Sequence, residues 1–117
     1  MSNQIWIEAT QRQLNNAIAM LEAAIRSCPP TLWQASLWQD SQMGDGFSQF
    51  WYIAYHCLFY ADLYLSGSLD GFAPPAPFTL DELEPEGKLP PRVFTPEELL
   101  AYAEHCRGKC NGIFSRL

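Results

Sequence analysis

Residues Phe47–Ser66 read FSQFWYIAYHCLFYADLYLS, and almost every position is apolar or aromatic. Gln49, His56 and Asp62 stand alone among large side chains. A helix that is hydrophobic all round is covered on several sides, so this stretch is expected to form the central element of a core. It is too short and too often interrupted to span a bilayer, which takes about 20 predominantly apolar residues. A single imidazole, His56, sits in its middle. Function turns on whether that imidazole is a ligand or a core residue.

Upstream, Leu14, Ile18, Leu21 and Ile25 recur at steps of four, three and four within Ser2–Ser27, and Ala17 and Ala24 widen the stripe. That period predicts an amphipathic helix, with Gln11, Arg12, Gln13, Asn15 and Asn16 largely on its polar side. Pro29 and Pro30 end it, because a proline disfavours helical geometry in the residue before it. Between Thr31 and Gly46 lies a tryptophan-rich connection, in which Trp33, Leu37 and Trp38 could form a helical turn capping one end of a bundle. Lining a pocket mouth is the competing role for that aromatic pair, and covering the core is favoured. Gly44, Asp45 and Gly46 read as a turn before the apolar helix.

Downstream, Gly67 can take the left-handed conformation that closes a helix. Residues 67–94 are proline-rich and leave room for little more than one turn at Thr79–Glu82, which carries a capping-box pattern. Long structureless loops are uncommon in compact domains unless they are functional or disordered. Phe72, Phe78, Leu80, Leu83 and Val93 dot the segment, which predicts an ordered wrap against the bundle. Thr95-Pro96-Glu97-Glu98 then offers an N-cap hydroxyl, a proline at the first helical position and the glutamate that completes a capping box. Leu99, Tyr102, Cys106, Cys110 and Ile113 mark the apolar side of a helix running towards Leu117.

The chain as a whole supports an all-α reading as one domain over residues 1–117, built from three long helices and a crossover at 67–94. Its 48% hydrophobic content places it among ordered globular chains. The net charge is −6 and no Lys/Arg cluster occurs, which disfavours nucleic-acid binding. The N-terminus has no basic region followed by an apolar run, so no export signal is expected. A cytoplasmic location with four reduced cysteines follows. Cys106 and Cys110, one turn apart, could share a metal, but no second thiol pair at finger-like spacing supports it. Buried thiols acting as small hydrophobes are the favoured reading.

The chemistry available is sparse. Around His56 the helical neighbours are Tyr52, Ile53, Phe59 and Tyr60, with no carboxylate at that spacing and none of the paired patterns of helical metal sites. Local sequence favours a core histidine bonded to a tyrosine or a backbone carbonyl over a ligand. His105, beside Glu104 and Arg107, reads as part of a solvated face. The acidic run Asp81, Glu82, Glu84, Glu86 reads as solvated too. There is no GxSxG elbow, no phosphate-cradling glycine loop and no locally paired Cys–His couple, since adjacent Cys57 and His56 diverge on a helix.

The phrases FWYIAYHCLFYADLYLSG (50–67), FAPPAPFTLDELEPEG (72–87) and RVFTPEELLAYAEHCRGKC (92–110) closely resemble the DinB-like (DinB/YfiT) proteins of bacteria. That resemblance implies a four-helix bundle with a long crossover between the second and third helices. It also implies a three-histidine site for nickel or zinc, with one histidine on the second helix and two on the fourth, and for several members metal-dependent transfer of low-molecular-weight thiols. Many members are dimers. His56 matches the second-helix histidine and is the one candidate metal ligand; His105 lies on the third helix, which does not supply one. The sequence ends at Leu117, before a fourth helix, so the expected metal site is incomplete in this chain. A bundle with three helices leaves an apolar groove along the central one, and large exposed apolar patches are rare on monomers. The expectation is therefore a homodimer filling that groove and no demonstrated catalysis. Two alternatives stand beside it. One is a metal-dependent thiol transferase or hydrolase completed between subunits; the other is a non-catalytic module binding a partner helix in the groove.

Overall fold

The computed structural model describes residues 2–39, 42 and 44–117. Its long elements are α1 (Ser2–Ser27), α2 (Phe50–Ser66) and α3 (Pro96–Phe114), with short 3-10 turns at Pro30–Leu32, Asp45–Ser48 and Leu80–Leu83. Among the described residues there is no strand, and no helix is long and apolar enough to cross a membrane. The fold is all-α. The tryptophan-rich connection lies outside the described residues at positions 40, 41 and 43.

The helices do not share the core equally. α3 packs along both α1 and α2, whereas α1 and α2 barely touch. Asn111 and Arg107 of α3 meet Asn15 and Glu22 of α1, which sets these two antiparallel. Trp51 near the start of α2 meets Phe94, just before α3, and Ser66 at its end meets Lys109 of α3, which sets that pair parallel. A parallel pair cannot be joined by a tight turn, and that is why residues 67–94 must run the length of the bundle. The apolar helix α2 supplies much of the buried core, as expected, but α3 is the helix packed against both of the others. On α2, Trp51, Ala54, Tyr55, Leu58 and Phe59 are buried, while His56, Cys57 and Tyr64 are exposed.

Several local readings match. α1 spans the expected residues, and Gly67 closes α2 at φ 79 in the left-handed region. Others shift. α2 begins at Phe50 and not at Phe47, because Asp45–Ser48 forms its own turn and residues 35–37 pair with residues 48–50. The helical turn in the tryptophan-rich connection falls at Pro30–Leu32. Trp33 is buried and donates its indole N–H to the Phe94 carbonyl at 2.8 Å, but Leu37 and Trp38 are exposed. Gln11 and Asn15, read as polar-face residues, both donate to Asn111 Oδ1 between α1 and α3.

The crossover lies against the bundle. Phe72, Phe78 and Phe94 are buried, whereas Leu80 is exposed. Phe78 stacks on Tyr102 with ring centroids 4.3 Å apart and on Tyr55 at 5.7 Å, and meets Phe94 edge-on at 4.8 Å. Thr79 caps the Leu80–Leu83 turn through the Asp81 N–H, two residues on, so the reciprocal box expected there does not form.

The box at α3 does form. Thr95 Oγ1 accepts from the Glu98 N–H at 3.1 Å, and Glu98 accepts from the Thr95 N–H at 2.9 Å and from both Arg92 guanidinium nitrogens. The Arg92 guanidinium, with the Thr95 N–H second, holds the Glu98 carboxyl down from 4.5 to about 2. A carboxyl depressed on folding stabilises the native state above its ordinary range and loses that contribution as pH falls towards the folded value. Urea midpoints are therefore expected to drop between about pH 5 and pH 2, and less steeply in Glu98→Gln. An equal slope in the variant would remove this pair from the acid response.

α1 is about 39 Å long against about 26 Å for α2. Asn111, near the end of α3, already lies level with Gln11 and Asn15, so the first turns of α1 run past the bundle with Ile5 and Trp6 exposed. The radius of gyration is accordingly 15.5 Å, against about 13 Å for a compact chain of this length.

Candidate functional site

His56 was expected to bond a tyrosine or a backbone carbonyl within the core. Instead its side chain is 49% exposed and its Nδ1 contacts Glu82, whose carboxylate is only 4% exposed. Tyr52 donates its hydroxyl to the other oxygen of Glu82 at 2.6 Å. Burial first, and the bond to Glu82 second, push the Tyr52 hydroxyl well above the ordinary phenol range, so it remains a donor. Glu82 thus leaves the solvated acidic run and pins the crossover to α2.

Asp62 is the second centre. It is fully buried and accepts from the Lys109 ammonium at 2.6 Å, the Tyr102 hydroxyl at 2.9 Å and His105 Nε2 at 3.2 Å. Lys109 also reaches the Asp62 carbonyl at 3.1 Å and Ser66 Oγ. Burial, followed by the Asp62 charge, raises the Tyr102 hydroxyl far above its usual range. His105 is therefore not a purely solvated side chain: one edge is tied to a buried carboxylate while its side chain stays 40% exposed. Sequence reading found Asp62 only as an isolated carboxylate in an apolar run. Its partners lie 40 to 47 positions away, beyond any helical spacing.

Among the described residues, no three His, Cys, Asp or Glu side chains converge in a group able to hold a metal ion. A three-imidazole site does not fit this chain by itself, since the sequence holds two histidines and each lies beside a different carboxylate, Glu82 and Asp62. Cys106 and Cys110 are fully buried, and burial pushes the Cys106 thiol up to about 12. A thiol so placed packs as a small hydrophobe.

One surface feature is apolar throughout. Because α1 and α2 stand apart, a trough runs between them. One hollow of about 380 Å³ is lined by Leu14, Ala17, Ile18, Ala61, Tyr64 and Leu65. The next, about 260 Å³, is lined by Ala17, Ile18, Leu21, Cys57, Leu58 and Ala61. No Asp, Glu, Lys or Arg occurs in residues 13–21 or 47–61, so neither bank carries a formal acidic or basic charge. Compared with models of protein families, with curated proteins and with solved structures, the chain matches none.

Proposed function

We propose that this chain is a DinB-like helical protein that acts by self-association and not by catalysis, with the trough between α1 and α2 filled by a second copy. The trough is the observation that carries this reading. Leu14, Ala17, Leu21 and Ala24 follow one another along α1 at steps of three and four, the spacing of a helix–helix seam. Two of them are alanines, which let a helix approach closely. Trp6, Met20 and Tyr64 stand exposed nearby, and aromatic residues and methionine are enriched at such interfaces. The DinB-like assignment is supported by the quoted phrases, by the all-helical build and by the long crossover between the second and third helices.

Light scattering at micromolar concentration is expected to give twice the 13.3 kDa chain mass. Ala17→Glu places a charge on the exposed bank without touching the core and is expected to give monomers with unchanged helicity. A wild-type monomer would end the proposal. Metal analysis of untagged protein is expected to find nickel and zinc far below one equivalent. One equivalent per pair of chains would favour instead the metal-dependent thiol transferase or hydrolase, with His56 as one ligand.

A further inference from the structure

A second cleft, of about 370 Å³, lies between the crossover and the outer face of α3 and shares no residue with the trough. Its crossover bank is Pro75, Pro77 and Phe78, and its helix bank includes Glu97, Ala101 and His105. Steps of four residues put those three helix positions in one line, about 12 Å from first to last. The middle of the cleft is apolar, and each end offers an acceptor. Glu97 has no hydrogen-bond or ion-pair partner among the described residues, whereas Glu98 is held by Arg92 and Thr95.

At the other end the acceptor is set by a buried group. Asp62 is an acceptor already holding Lys109 and Tyr102, so His105 Nε2 must donate to it, and Nδ1 is the ring nitrogen with no hydrogen-bond partner among the described residues. No Lys or Arg lines the cleft. The helix end does not act as an anion site either, since Pro96 has no N–H and the Glu98 N–H is taken by Thr95.

We infer that this cleft binds a small organic ammonium ion with an apolar body tipped by a hydroxyl. The ammonium sits on Glu97, the body lies on Ala101 between Pro75 and Pro77, and the hydroxyl donates to His105 Nδ1. A cavity of this size is within the range of small-molecule sites, and the net charge of −6 favours a cation.

Tyramine is a suitable probe, titrated into the intact protein by calorimetry and by proton–nitrogen correlation spectra. Saturable binding with shifts at Ala101 and His105 is expected, with phenethylamine weaker and 4-hydroxyphenylacetate not binding. Glu97→Gln, at an exposed position, is expected to weaken tyramine about tenfold, the worth of one charge-assisted hydrogen bond. Ala101→Trp, also exposed, fills the cleft and abolishes binding. The inference is overturned by any of three results: no saturation at low-millimolar tyramine, equal binding of the anionic analogue, or unchanged affinity in Glu97→Gln.

Discussion

Asp62→Ala is expected to lower the unfolding free energy by about 3–5 kcal/mol, the usual consequence of removing one partner of a buried ion pair. The carboxylate is fully buried. Its loss strands the Lys109 ammonium and takes the acceptor from Tyr102 and His105. The Tyr102 hydroxyl is buried, and an unpaired buried polar group costs about 1–3 kcal/mol by itself. Against a total of about 5–15 kcal/mol for a domain, the variant should be marginal at room temperature. Asp62→Leu combined with Lys109→Met removes both charges and should recover much of the loss, because a hydrophobic pair often replaces a buried ion pair without penalty. Urea unfolding decides it: a single variant within about 1 kcal/mol of wild type, or a double variant no better than the single, would show that Asp62 is not the hub between α2 and α3.

Phe78→Ala is expected to be comparably damaging, at about 3–5 kcal/mol for a buried phenylalanine. The ring is sandwiched between Tyr55 of α2 and Tyr102 of α3 and meets Phe94 edge-on. Its removal empties the space where the crossover enters between the Tyr55 and Tyr102 rings of the two parallel helices. Beyond the lower urea midpoint, limited proteolysis should cut first within residues 67–94. If cleavage instead begins in α1, the crossover is held by Glu82 and Phe72 without help from Phe78.

Elements whose cause is local were legible in advance. The bounds of α1 follow from its period and from Pro29; the α3 capping box follows from Thr95 and Glu98; the end of α2 follows from Gly67. Each depends on residues within one or two turns, where backbone geometry and side-chain reach are set by spacing alone. The site was not legible in this way. His56 looked like a core residue because all its helical neighbours are apolar, yet its partner, Glu82, arrives from the crossover 26 positions later. His105 looked solvated because Glu104 and Arg107 flank it, yet Asp62 reaches it across the α2–α3 contact.

The surplus of apolar surface could be counted from residues 47–66, but not its location. Spacing along a helix says which side chains share a face and is silent on which neighbour covers that face. Here α3 takes the middle position, and α2 with α1 is left bordering an open trough. Helix identity came from short-range periodicity and caps. The pairing of buried charges and the placement of the trough came from contacts between residues far apart in the chain, which only packing of the whole molecule brings within a hydrogen bond of each other.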